Sequence, residues 1–265
     1  MEENLSLSHI SYFLHYLHTF SDILAQIDRT QSGNILKAAD LMADTISSDN
    51  LVYIFGAGHS ALPAAEVYPK CGNIVGFQAI LDVGLIYFTN VIGSNGISQF
   101  TFLERSEGYG QAIMNGYVFR NGDAFWAFSQ SGVNGLVVEM ARLAREKGMG
   151  VVAITSVAQC ENSSPRHSTG KRLIDFADVV IDNCVPIGDV TIHLDGLEDP
   201  IGPASTAAGV AIANAVVVET AAALLRRGQK PVVNPSLNAP GATVDRDERM
   251  RFALEEFRRR TQRSA

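Results

Sequence analysis

The stretch Leu51–Ala61, LVYIFGAGHSA, constrains this chain more than any other. Leu51 to Phe55 is a short, apolar, partly β-branched run, the pattern of a buried strand. It passes directly into Gly56-Ala57-Gly58-His59-Ser60, and an apolar, helix-compatible segment, ALPAAEVY, follows. A strand that ends in glycines and opens into a helix leaves backbone N–H groups unpaired, and the helix dipole makes that end positive. An anion, most often a phosphate, is the natural guest of such a turn.

The remainder of the chain alternates strands and helices around that turn. Ile74 to Leu81 reads as a second strand, and Asp123 to Ser129 as a third, nearly continuous in apolar residues as a central strand must be. The third strand ends in Ser129-Gln130-Ser131-Gly132, and an amphipathic helix from Asn134 to Lys147 follows, with Gly148 at the C′ position. Gly150 to Ser156 is the fourth strand and Val179 to Ile181 the fifth, with Val190 to Leu194 as an edge piece. Pro200 to Thr206 leads into a long alanine- and valine-rich helix ending near Arg226; Pro231 to Ala242 is a loop and Asp245 to Arg260 a closing helix. Ahead of the first strand, apolar spacing marks a helix from Ser8 to Ile27 and a second from Ile35 to Ile46, with Gln31-Ser32-Gly33-Asn34 as the break. Asp82 to Asn115, rich in Gly, Ser and Asn, resists assignment.

Alternating β and α elements give an α/β fold, a three-layer αβα sandwich around a parallel sheet with helices on both faces. The expected sheet is five-stranded and flavodoxin-like, order 2-1-3-4-5, with an N-terminal helical extension (1–34), a main domain (35–242) and a C-terminal helix (243–265). In that order the first and third strands are neighbours, and ligands bind at the carboxyl ends of such a pair. GAGHS and SQSG are then brought face to face.

Charge and composition close off several functions. A net charge of −7 gives no basic face for nucleic acid. The one basic run, Arg258-Arg259-Arg260 with Arg263, reads as a solvated last helical turn. Ala207 to Leu225 nearly reaches membrane-spanning length, but Asn214 and Glu219 interrupt it, so a buried helix of a soluble, cytoplasmic protein is expected. Three scattered cysteines, Cys71, Cys160 and Cys184, fit a reducing compartment and give no zinc site. His9, His15 and His18 read as surface or packing residues.

The two loops in this context resemble the sugar isomerase (SIS) phosphosugar-binding domain, and a subfamily of phosphosugar isomerase-like proteins within it. The similarity runs through GAGHSALPAAE, LERSEGYG, SGVN with EMAR, HSTGKRL and GPASTAAG, and covers Ile35 to Asn238. What the resemblance implies is a sugar phosphate held by hydroxyls and backbone amides. Ser60, Ser129, Ser131, Ser205 and Thr206 would be the hydroxyls; Gly56, Gly58, Gln130, Gly132 and Asn134 would complete the loops. It also implies a homodimer or homotetramer with sites near the interface; no cofactor is expected.

Each candidate has a competing reading. GAGHSA also fits the dinucleotide fingerprint, with Asp82 as a distant ribose-binding acid, and Ser129 and Ser131 could cap the next helix. Aldose–ketose isomerisation needs a base beside the carbonyl and a proton carrier between the two oxygens. Glu66 leads as the base, since related phosphoheptose isomerases carry a catalytic glutamate in the corresponding helix; Glu104 and Glu107 of LERSEGYG compete. His59 is the candidate acid or a structural hydrogen-bonder, and His167 with Lys171 could approach the sugar from a later loop. Glu219 is a carboxylate in an apolar helix, either functional or at a wet edge, and His193 reads as structural. Phosphoheptose isomerases place a histidine on their late helix, and this chain has none after His193, so that acid–base pair and its metal site do not transfer. The expected function is a sugar-phosphate isomerase; a sugar-phosphate sensor, or a lyase or etherase using the same proton abstraction, stand beside it.

Overall fold

The computed structural model describes residues 11–67, 70–86, 93, 95–236 and 245–263. The expected helix start at Ser8, His9 and the 237–242 part of the Pro- and Asn-rich loop lie outside them. Strands β1 (Val52–Gly56), β2 (Phe77–Ile80), β3 (Ala124–Phe128), β4 (Gly150–Thr155) and β5 (Val179–Asp182) form one parallel sheet in the order β2-β1-β3-β4-β5. Successive side chains on a strand face opposite ways, so each strand feeds two cores. Val52, Ile54, Trp126, Phe128, Val152 and Ile154 pack toward α1 (Tyr12–Ser47), α2 (Leu62–Val67) and α8 (Ser205–Arg226). Tyr53, Phe55, Phe125, Ala127, Val151 and Ala153 pack on the other face, toward α5 (Tyr109–Met114) and α6 (Gly135–Glu146). The remaining elements are α3 (Val83–Ile86), α4 (Gly96–Arg105), α7 (Val157–Asn162) and α9 (Asp245–Thr261).

The expected pair of N-terminal helices is one helix of 36 residues. Gly33 is exposed with open space around it, so the helix bears only the modest propensity cost of glycine there, roughly 1 kcal/mol. Gln31, read as part of the break, is buried, and its Oε1 accepts the backbone N–H of Asp182 at the end of β5. Ile23, Ile27, Ala38 and Met42 continue one buried stripe through it, along α8 and the sheet. The polar cluster is therefore a point of attachment, not a turn.

Two other expectations change. Val190 to Leu194 does not join the main sheet: β6 (Val190–Ile192) pairs antiparallel with β7 (Ile201–Pro203) as a separate two-stranded ribbon. Helix α8 is long and apolar enough by composition to cross a membrane, but here half of it is buried against α1 and the sheet, with Ala208, Ile212, Val216 and Leu224 in the core.

The C-terminal basic run is a fastener, not a solvated turn. Arg259 pairs with Asp49 and Glu256, and Arg260 with Glu256 and the Ile46 carbonyl. The Arg263 side chain is 1% exposed, and its guanidinium meets Asp123, whose side chain is 0% exposed, at 2.5 Å. Asp123 also accepts the N–H groups of Leu51 and Arg120, so this one carboxylate ties the segment after α9 to the entry of β1 and β3. Arg263→Met leaves a buried carboxylate short of its countercharge and should lower stability by about 3 kcal/mol. Arg258→Ala, on an exposed side chain of the same run, should change it by less than about 0.5 kcal/mol, both read from urea unfolding midpoints.

Candidate functional site

Parallel register sets the site. Gly56 at the end of β1 is level with Phe128 at the end of β3, so the loops that follow leave the sheet side by side. Gly56 has no room for a side chain, because a Cβ there would lie 2.0 Å from the Ser60 carbonyl oxygen. That contact folds the chain back into a 3-10 turn, Gly58–Ala61, ahead of α2. Gly132 takes a left-handed φ of 62°, and a Cβ on it would meet the Cys160 Sγ at 2.7 Å. Both glycines shape the loops.

Between the loops lies a cavity of about 150 Å³ walled by Ser60, Glu104, Ser129, Gln130, Ser131, Asn134 and Gln159. A smaller hollow adjoins it across Ser60, Ser129 and Gln130, and is closed by Asn183, Ser205 and Thr206. The expected hydroxyls of Ser60, Ser129, Ser131, Ser205 and Thr206 thus converge, with Gln130 and Asn134 beside them. Gly56, Gly58, Gly132, His59 and Glu66 are not in these walls. Glu66 turns instead toward Lys70, with Asn214 of α8 at 3.5 Å, and His59 is exposed.

The two helix N-termini at the site differ in electrostatics. At α8, the Asp189 carboxylate already accepts the N–H groups of Ala204 and Ser205 and the Ser205 hydroxyl. At α6, the N-cap is Asn134, whose side chain makes no capping hydrogen bond. Neither serine caps that helix; Ser129 Oγ accepts the Gly132 N–H at 3.1 Å instead. The first N–H groups of α6 are therefore without a side-chain cap beside the cavity, a standing positive end.

Asn134 turns its amide elsewhere. Its Nδ2 donates to Glu104 Oε2 at 2.7 Å, and its Oδ1 accepts from Arg166 Nη1 at 2.5 Å. Burial pushes the Glu104 carboxyl above its ordinary value, opposed by the nearby Arg105 charge, the Asn134 hydrogen bond and the Arg166 charge. Glu107 is held the other way: it takes the Ser168 N–H and hydroxyl, and these bonds lower its pKa. Glu139, buried on α6, accepts the N–H groups of Gly108 and Gly110 and so pins the segment that Glu104 precedes.

The other candidates lie apart. His167 is buried and bonds Thr169, with Glu107 at 3.7 Å; Lys171 is exposed. Glu219 pairs with Arg226 at a partly exposed helix edge, and His193 is exposed. Asp82 caps Leu85 at the start of α3. Among the described residues no three His, Cys, Asp or Glu side chains come together to hold a metal ion. Sequence reading missed Gln159 on α7 and Asn183, Asp189 and Arg166 in loops, residues whose partners lie well along the chain.

A raised carboxyl pKa has a consequence for stability. The folded state holds the Glu104 proton more tightly than the unfolded chain, so this contribution is full below the ordinary pKa and is lost as pH rises through the raised one. Glu104→Gln, which cannot ionise, should gain on the wild type in urea midpoint as pH climbs above the ordinary glutamate value of 4.5. Glu107→Gln should show the opposite sign, falling behind the wild type with rising pH.

Comparison with known proteins agrees with this architecture. The SIS domain model matches residues 15–156, which carries both loops and ends before Asn183, Asp189 and α8. The UPF0309 protein of Halalkalibacterium halodurans is 34% identical over 238 residues, 90% of this chain and 96% of that protein. That of Brucella canis is 37% identical over 226 residues, 84% of this chain and 89% of the relative. Among solved structures, a phosphoheptose isomerase from Neisseria gonorrhoeae superposes with a TM-score of 0.53 at 16% identity, over 79% of this chain and 96% of its own. One from Francisella tularensis gives 0.51 at 15% identity, with the same coverage, a likeness of fold. The chain belongs to the SIS domain family and, within it, to the UPF0309 proteins.

Proposed function

We propose that this protein binds a sugar phosphate between the β1 and β3 loops and isomerises it, aldose to ketose, with Glu104 as the base. The observation that carries this reading is one cavity holding both halves of the chemistry. Its anion side is the N-terminus of α6, which lacks a side-chain cap, with the hydroxyls of Ser60, Ser129 and Ser131. Its base is Glu104, half-buried in the same walls. The family, and the named activity of the solved isomerases that share the fold, support the substrate class. Glu104 replaces Glu66 as first choice because Glu66 is turned to Lys70 and away from the cavity.

In the proposed reaction the Glu104 carboxylate takes the proton from C2 of the open-chain sugar, leaving an enediolate. The same group returns that proton to C1, while the O2 proton passes to O1. A phosphate dianion held nearby raises the Glu104 pKa further, toward the range where a general base is most effective near neutral pH. One observation favours a second reading, binding without turnover: Glu104 is the only carboxylate or imidazole in the walls of the two hollows among the described residues.

Incubation with aldose and ketose phosphates in heavy water separates the two. Isomerisation predicts exchange of the C2 proton, lowered roughly 10²- to 10⁴-fold by Glu104→Gln and less than about tenfold by Glu66→Gln. Thermal stabilisation by a sugar phosphate with no exchange would favour the second reading, and loss of exchange in Glu66→Gln alone would return the base to α2. Self-association belongs to the same proposal, since Phe13 and Leu17 leave α1 with 63% and 51% exposed apolar side chains near its N-terminus. Light scattering should give at least twice the mass of one chain, and Phe13→Asp with Leu17→Asp should lower it.

A further inference from the structure

Arg166 is not among the residues that line the cavity; it lies on the polar loop between α7 and β5, yet it is bonded twice to the turn that carries Asn134, a residue of the cavity wall. Its backbone N–H donates to the Val133 carbonyl at 3.1 Å, and its guanidinium donates to Asn134 Oδ1. The same loop is fastened again where the Leu173 N–H donates to the Gly132 carbonyl at 2.8 Å. A guanidinium can only donate, so the amide oxygen of Asn134 must face it. The amide nitrogen must then face the other way, toward Glu104, where it donates at 2.7 Å.

We infer that Arg166 is a positioning residue that sets the protonation state of Glu104 by fixing which end of the Asn134 amide Glu104 meets. An Asn134 that donates stabilises the carboxylate; a flipped Asn134 would present its oxygen and stabilise the carboxylic acid. Arg166 thus keeps a half-buried carboxyl available as a base from a position that touches no substrate. The charged groups that bear on Glu104 are Arg105 of its own helix and Arg166 of the facing loop; Asn134 is the neutral donor between them. Two influences of Arg166 are therefore separable, its charge acting through space and its hold on the amide. The inference rests on Glu104 being the base for its functional meaning, but the tie itself is measurable without turnover.

The test is a carbon-13 titration of the full chain labelled at glutamate carboxyls, with the Glu104 signal identified by its loss in Glu104→Gln. Arg166→Gln should raise the Glu104 midpoint by about one pH unit. In an Asn134→Ala background the same change should move it by less than about half as much, because the hold on the amide is already gone. Arg166→Lys, which keeps the charge and a donor, should fall between wild type and Arg166→Gln. An equal shift in both backgrounds would reduce Arg166 to a distant charge and overturn the inference, as would no shift in either. If Glu104→Gln leaves C2 exchange intact while the titrations follow the expected pattern, the base assignment fails and the Arg166 tie stands.

Discussion

The pairing of β1 with β3 is the contact on which the rest of this molecule depends. Parallel register brings Gly56 level with Phe128, so two loops distant in sequence leave the sheet at the same height. Every other feature of the site assumes that neighbourhood. It is maintained from below as much as from within, because Asp123 bonds the Leu51 N–H at the start of β1 and the Arg263 guanidinium of the C-terminal segment. A buried charge pair is a weak source of net stability but is intolerant of losing one member. Here it sits where β1 and β3 enter the sheet, so it guards the register that the opposite end uses.

At the ligand end the loops are held by carboxylates as well as by apolar packing. Glu139 takes two N–H groups of the segment after α4, Glu107 takes Ser168, and Asp189 takes the start of α8. This follows from geometry: loops at the end of a sheet carry backbone groups with no strand partner, and burying them unpaired is expensive. A carboxylate accepts several such bonds at once, which suits short loops with little apolar surface. The acidic balance of the chain, read from sequence only as a bar to nucleic acid, has this structural use as well.

The sheet and its two loops were legible in the sequence because they rest on local patterns: apolar runs, glycines at strand ends and serines after them. The convergence of Ser60, Ser129 and Ser131 followed from strand order alone. Less legible was anything fixed by partners far along the chain. Asp82 to Asn115 resisted assignment because α4 and α5 are short and the start of α5 is held by Glu139, some thirty positions on. Gln31 to Asn34 read as a break because its composition is that of a turn, whereas burial of Gln31 against β5 keeps the helix whole. Arg263 looked like tail solvent for the same reason; nothing local announces Asp123. Glu66 and Glu104 could not be ranked from sequence, since what separates them is the direction each side chain takes, toward Lys70 or into the cavity.

The placement of charge at the two helix N-termini decides how the site can work. Asp189 already supplies a negative partner to α8, so a second anion there would meet repulsion as well as the dipole. Among the described residues no carboxylate is hydrogen-bonded to the first N–H groups of α6, and its N-cap residue turns its amide to Glu104. A phosphate bound as proposed would be drawn toward α6 and the serine hydroxyls, close to Glu104, the one carboxylate in those walls among the described residues. Two anions in a cavity of this size raise each other's proton affinity. For a purely structural carboxylate that would be a defect. For a base that must take a weakly acidic carbon-bound proton it is an advantage, since a higher pKa means a stronger base, provided the group still ionises at the working pH. Arg105, Asn134 and Arg166 act in the opposite sense to burial and so keep that condition within reach. On the proposed function, the site balances a ligand that drives Glu104 toward its acid against three fixed groups, Arg105, Asn134 and Arg166, that hold it as a carboxylate.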